Sequence, residues 1–216
     1  MIRLHHSPSS ASMAPQIVLE ALGWPHELVP VDTQAGQQRS EEFLKLNPNG
    51  RVPVLEWNGQ VIFETAAICW HLAEQAPEAG LIPAIGDPLR PQALKWMMWL
   101  TNTLQSDLIL HFYPGRWSQT EAGAAEVQQQ ATARVNAALF QVQDQLQAQA
   151  AAGQPWFLGD RFSILDVYVF MLCRWTRHFD HPARGYEGIA PYLQHMLAQP
   201  CVARVLQQQG LPQPWV

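Results

Sequence analysis

The sequence predicts an α/β domain of order βαβαββα over roughly its first third, followed by an all-α domain. Three observations predict it. Short apolar runs alternate with helical periodicity only as far as about residue 76. The breakers Pro77, Gly80, Pro83, Gly86, Pro88 and Pro91 then crowd together, and beyond them no strand pattern survives. The expected organisation is an α/β domain over residues 1–78, a linker over 79–90 and a helical domain over 91–216.

The elements follow in order. Ile2–His5 reads as a strand, Ala14–Leu22 as a helix closed by Gly23, and Glu27–Val31 as a second strand, which together make a parallel βαβ unit. Ser40–Leu46 is a short helix. Val54–Trp57 and Gln60–Phe63 are joined by Asn58-Gly59, where both positions accept positive φ, and so form an antiparallel hairpin. Thr65–Gln75 is the helix that covers the sheet. This is the order of the thioredoxin-like fold. In the second domain helices are expected at about Gln92–Phe112, Glu121–Ala150, Ile164–His178 and Tyr192–Gln209, the last broken near Pro200. The Gln- and Ala-rich stretch after Gln128 is an amphipathic helix, because Val135, Leu139, Val142 and Leu146 fall at helical spacing. Ser163 and Asp166 form a capping box in its Asp variant, a structural feature outside the site, worth ~1 kcal/mol and somewhat more if buried.

Composition narrows the partners. A chain of 216 residues buries a sizeable core, and with 14% charged residues, a net charge of −5 and no basic run it is not expected to bind nucleic acid or an anionic membrane. Cys69, Cys173 and Cys201 lie far apart with no metal-ligand spacing, which points to a reducing compartment and no metal. The N-terminus has no apolar stretch of signal-peptide length, and no run is long enough to span a bilayer, so a cytoplasmic location is expected.

The most informative stretch is Asn47-Pro48-Asn49-Gly50-Arg51-Val52-Pro53-Val54-Leu55, followed after the hairpin by Glu64-Thr65. Proline lowers the trans preference of its peptide bond to roughly 0.5–1 kcal/mol, so a Val52-Pro53 bond before a strand is open to cis. That geometry would turn the Val52 N–H and C=O outward for an extended ligand to pair with as an added strand. Glu64 would face an amine, while Thr65 and the helix N-terminal amides would hold a carboxylate. Singly, each half reads as a strand start or a helix cap. Together, at this spacing, they read as a docking edge for a small peptide.

With these motifs in order, and with Gly159-Asp160-Arg161-Phe162-Ser163 leading into the capping box, the chain resembles the cytosolic glutathione transferases over essentially its whole length. The resemblance is nearest to the bacterial class that carries a catalytic cysteine, with Ala11 at the cysteine position. It implies glutathione as co-substrate, with the Val52 backbone on its cysteinyl part, Pro53 cis, Glu64 and Thr65 on the γ-glutamyl end and Arg51 on the glycyl carboxylate. It also implies a homodimer and a hydrophobic small-molecule electrophile as second substrate.

Such enzymes lower the pKa of a thiol that, free, sits at about 8.5 and is only a few per cent ionised at pH 7. Stabilising the anion needs a donor beside the first amides of the first helix. The segment His5-His6-Ser7-Pro8-Ser9-Ser10-Ala11-Ser12-Met13-Ala14-Pro15 offers neither cysteine nor tyrosine, and Pro15 places the helix start near Ser12. Ser10 is the first candidate donor, Ser12 the second, although it is also the natural N-cap, and Ser9 the third. Adjacent on a strand, His5 and His6 point to opposite faces and carry no completed ligand set. Trp99, Phe112, Tyr113 and Trp117 are the candidate electrophile contacts. Asp107 either reaches a partner subunit's glutathione or is a solvated surface carboxylate. Two other activities fit the resemblance: a glutathione-dependent oxidoreductase or isomerase, whose Ser-Ser-Cys-Ser run Ser9–Ser12 resembles with Ala for Cys, and a non-catalytic glutathione-binding module.

Overall fold

In the computed structural model, which describes all 216 residues, the first unit contains strands Ile2–His6 (β1), His26–Pro30 (β2), Val54–Trp57 (β3) and Gln60–Phe63 (β4) and helices Met13–Leu22 (α1), Glu41–Leu46 (α2) and Thr65–Glu74 (α3). The strands form one mixed sheet of order β2-β1-β3-β4, with β1 parallel to β2 and antiparallel to β3, and β3 antiparallel to β4. The architecture is thioredoxin-like. Asn58 and Gly59 turn the hairpin at φ 51° and 75°, the left-handed pair that matches strand twist. Gly23 closes α1 at φ 65°, and Ser40 caps α2 by accepting from the Phe43 N–H.

Strand alternation sorts the sheet's two faces. His5, Val54 and Phe63 stand opposite one another across β1, β3 and β4, and Val54 and Phe63 pack with Phe43, Leu46, Val31 and Val52. Leu4 and Leu55 point the other way and are fully buried. α1 packs against α3 and against a late helix, Pro200–Gln208 (α9), which explains why Met13 through Leu19 are buried without interruption. That placement differs from the sequence expectation of one helical domain over 91–216. The chain divides into Met1–Ile82 with Leu197–Trp215 and Pro83–Met196 with Val216, because Cys201, Val202, Val205 and Leu206 form a buried stripe on α9.

The second unit holds helices Arg90–Trp99 (α4), Ser106–Phe112 (α5), Glu121–Ala151 (α6), Ile164–Trp175 (α7) and Ala190–Leu197 (α8). The helix expected over 92–112 is interrupted by a π-helical segment, Leu100–Gln105. Thr101 Oγ1 donates back to the Met97 and Met98 carbonyls, Ser106 Oγ donates to the Thr101 carbonyl, and the Tyr168 hydroxyl holds the Gln105 side chain. The Ser163–Asp166 capping box is present at the start of α7. Its carboxylate is fully buried and also accepts from the Phe157 N–H and the Tyr192 hydroxyl. Burial pushes the Asp166 carboxyl pKa up even against those donors. No helix is long and apolar enough to cross a membrane.

Candidate functional site

The docking edge is built from a braced loop. Asn47 is buried, its Nδ2 donates to the Arg51 carbonyl at 2.7 Å, and its Oδ1 accepts from the Asn49 N–H at 3.0 Å. Gly50 sits at φ 59°, and a Cβ there would stand 3.1 Å from the Gln38 carbonyl, so both backbone conformation and space favour glycine. The loop delivers Val52 to a cis bond with Pro53. Val52 precedes the ladder, whose pair nearest to it is His5 with Val54.

The other half of the edge comes from β4 and α3. The pair Val54–Phe63 brings Pro53 and Glu64, each one residue beyond it, side by side. Glu64 occupies φ 73°, ψ 115°, a conformation that costs a residue with a Cβ, and its side chain is exposed. Thr65 is buried. Glu64 is the N-cap of α3 but makes no side-chain cap hydrogen bond, and no acidic residue lies in the first turn, so the first amides have no side-chain acceptor. Arg51 is exposed at the opposite end of the edge.

The serine loop joins β1 to α1. Ser12 is fully buried, and its hydroxyl is engaged three ways: it donates to the Ser7 carbonyl at 3.0 Å, accepts from the Ser7 N–H at 3.2 Å and meets Ser10 Oγ at 2.8 Å. It caps no amide of α1. Ser10 is half-buried and its Oγ donates to the same Ser7 carbonyl at 2.7 Å. Ser9 lies at φ 58°, the left-handed region, at the turn of the loop. Of the three, Ser10 combines accessibility with a hydroxyl already ordered by a neighbour. Ser12 orders the loop from within.

The two histidines part as strand geometry requires. His5 is buried, its Nε2 lies 2.6 Å from Glu56 Oε1, and its ring meets Phe43 edge-on. His6 is half-buried, its Nδ1 is enclosed without a hydrogen-bond partner, and burial lowers its pKa. No three His, Cys, Asp or Glu side chains gather in a metal-binding arrangement. All three cysteines are buried and free, and burial pushes the Cys173 thiol up to about 12 and Cys69 higher still.

The four aromatic candidates of the second unit fall into separate groups. Trp99 is half-buried and packs edge-on against Trp96, whose ring also meets Phe157. Phe112 is exposed on one side and lies edge-on to Trp175 and Phe179. Tyr113 and Trp117 are each 51% exposed, and the Arg116 guanidinium sits 4.0 Å over the Tyr113 ring. Asp107 is not a solvated carboxylate: it is buried and accepts from Arg134 Nε of α6 at 2.8 Å. Sequence reasoning missed that partner because the two residues lie far apart in the chain.

A thioredoxin-like unit with a cis-proline edge, joined in one chain to a helical unit, defines the structural class. Residues 1–74 match the family described as glutathione S-transferase, N-terminal domain, and residues 129–195 match glutathione S-transferase, C-terminal domain. The chain is 26% identical over 212 residues to glutathione S-transferase GstA of Escherichia coli O157:H7, covering 97% of this chain and 100% of that one. It is also 26% identical over 215 residues to the disulfide-bond oxidoreductase YfcG of Escherichia coli K12, covering 95% and 94%. Among solved structures, a glutathione transferase homologue from Sulfitobacter with bound glutathione superposes with a TM-score of 0.88 at 29% identity, covering 98% of this chain and 99% of that one. The chain belongs to the glutathione S-transferase family.

Proposed function

We propose that the protein binds glutathione along the Val52–Pro53 edge and stabilises its thiolate for attack on a hydrophobic electrophile. The observation that carries this reading is the placement of the Val52–Pro53 segment beside the start of α3 at Glu64, set by the Val54–Phe63 pair. The backbone of Val52 pairs with the cysteinyl residue. The γ-glutamyl carboxylate meets Thr65 and the first amides of α3, its amine meets Glu64, and Arg51 takes the glycyl carboxylate. Residues 1–78, joined by α9, thus form the glutathione domain, residues 79–90 the linker, and the helices within residues 91–196 carry the electrophile contacts Trp99, Phe112, Tyr113 and Trp117. The working form is a cytoplasmic homodimer.

The chemistry then follows from one hydroxyl. The thiol proton leaves to solvent, and the Ser10 O–H turns from the Ser7 carbonyl to donate to the sulfur anion, with Ser12 holding the loop and Ser9 the remaining hydroxyl of the run. The sulfur lone pair forms the new S–C bond, and the displaced electron pair departs with the leaving group or moves onto the electrophile. A disulfide reduction, as the name of the YfcG relative suggests for that protein, would have to run through the thiolate of glutathione. Position 11 is alanine, and the buried cysteines are held protonated.

Absorbance of the bound thiolate against pH tests the proposal. Wild type is expected to titrate at least about one unit below the free thiol value of about 8.5, and Ser10→Ala to move back by about one unit, the worth of one donated hydrogen bond. A wild-type curve at the free value would overturn it.

A further inference from the structure

Between the last helix and the serine loop runs a continuous line of hydrogen bonds with a fixed sense. Gln209, the C-cap of α9, accepts from the Ser9 N–H through Oε1 at 2.9 Å. Its Nε2 donates to Gln16 Oε1 at 2.7 Å, Gln16 Nε2 donates to Gln208 Oε1 at 2.7 Å, and Gln208 Nε2 donates to Glu20 Oε1 at 2.8 Å. Arg204 closes the line, giving Nε to Glu20 Oε2 at 2.9 Å and Nη2 to the Glu20 carbonyl. All of these residues belong to the unit formed by residues 1–82 and 197–215.

The ends determine the orientation of every amide between them. Ser9 N–H only donates, and an ionised Glu20 only accepts, so each glutamine must accept on its Ser9 side and donate on its Glu20 side. Burial works to raise the Glu20 pKa, but the hydrogen bonds from Gln208 and Arg204 and the charges of His26 and Arg204 outweigh it and leave it lowered. Gln16 is fully buried and Gln209 nearly so. A buried amide with both ends satisfied is rigid, because any reorientation would leave a donor or acceptor unpaired.

We infer that Gln209 is a positioning residue for the thiol chemistry: it holds Ser9 in its left-handed conformation and thereby fixes where Ser10 presents its hydroxyl. Ser9 is not a glycine, so its φ of 58° carries a cost, and the hydrogen bond that meets its own backbone N–H comes from outside the loop. Inside the loop, the Ser10 N–H to Ser7 carbonyl bond is long at 3.3 Å. The bond to Gln209 is shorter and comes from an element some 200 residues away in sequence. The inference rests on the function proposed above for Ser10.

The test separates the Ser9 end of the line from its Glu20 end. Gln209→Met keeps side-chain length and removes the acceptor, whereas Gln208→Ala breaks the far rung and leaves Ser9 bonded. Amide hydrogen exchange at Ser9 is expected to speed up about tenfold or more in Gln209→Met, and to stay near wild type in Gln208→Ala. In the absorbance titration of bound glutathione, Gln209→Met is expected to raise the apparent thiol pKa by about half a unit to one unit, with glutathione affinity within about threefold, while Gln208→Ala leaves the pKa unchanged. A wild-type titration in Gln209→Met, or an equal shift in Gln208→Ala, would overturn the inference. Failure of wild type to bind glutathione at all would instead overturn the functional proposal beneath it.

Discussion

Replacing Glu64 by glycine sets stability against function at a single position. Glu64 holds φ 73° and ψ 115°, its side chain is exposed, and it caps no amide of α3. A non-glycine residue in such a region costs of order 1–3 kcal/mol, which glycine relieves. Against this stands the extra freedom glycine gives the unfolded chain, about 0.5–1 kcal/mol. The balance runs from about zero to a gain of about 2.5 kcal/mol, which for a chain of this length raises the melting temperature by up to about 10 °C. Glutathione should respond in the opposite sense. Losing a charge-assisted hydrogen bond to its amine removes about 1.5–3 kcal/mol, so the dissociation constant should rise about tenfold or more. Thermal melting followed by circular dichroism, together with calorimetric titration of glutathione, reads both effects on one preparation. Glu64→Ala is the control, since it keeps the strain and loses only the carboxylate: affinity falls and stability stays near wild type. A Glu64→Gly protein that is less stable than wild type and binds glutathione equally well would refute the reasoning that the strain is retained for the ligand.

Other expectations follow from the same structure. Asp166→Ala leaves the Phe157 and Ser163 N–H groups and the Ser163 hydroxyl without their acceptor, and the Tyr192 hydroxyl with only the backbone carbonyl of that residue, and should cost about 3–5 kcal/mol in urea unfolding, against about 1 kcal/mol for Ser163→Ala. A cost near 1 kcal/mol for both would mean that the buried carboxylate serves only as a helix cap. His6 and His111 have folded pKa values lowered by burial from 6.5, so the folded state binds fewer protons than the unfolded one. Their contribution is complete above pH 6.5 and is lost as the pH falls from there toward the folded values, opposite in sense to the raised Asp166 carboxyl; His111→Gln should therefore raise the urea midpoint at pH 5.5 relative to that at pH 7.5, compared with wild type. Arg134→Ala strips the buried Asp107 of its donor and should destabilise by about 1–3 kcal/mol, which a melting experiment would detect.

The parts of the fold legible in the sequence are those decided locally. The hairpin Val54–Trp57 and Gln60–Phe63 has the observed boundaries because Asn58-Gly59 fixes both turn and register. The Ser163–Asp166 cap was equally legible, since its two residues lie within one turn. What depends on distant partners was not. The π-helical segment Leu100–Gln105 involves Tyr168, 63 residues from Gln105, and nothing in the apolar spacing of that stretch signals it. α9 joins the first unit because α1 offers a buried face, a fact about packing that the helical period of 200–208 leaves open. In the serine loop the sequence offered three hydroxyls, ranked Ser10, Ser12 and Ser9. Burial separates them: Ser12 is enclosed among Ser7 and Ser10, whereas Ser10 and Ser9 remain partly accessible. The Gln16, Gln208 and Gln209 line left only a weak trace in sequence, a polar run at the end of an otherwise amphipathic helix.

The central claim is that the Val52–Pro53 edge and the start of α3 hold glutathione. Calorimetric titration of the wild-type protein with reduced glutathione tests it most directly. One saturable site per chain, weakened about tenfold or more by Glu64→Ala, is the predicted result; the absence of saturable binding, or a Glu64→Ala isotherm that overlays the wild type, would contradict it.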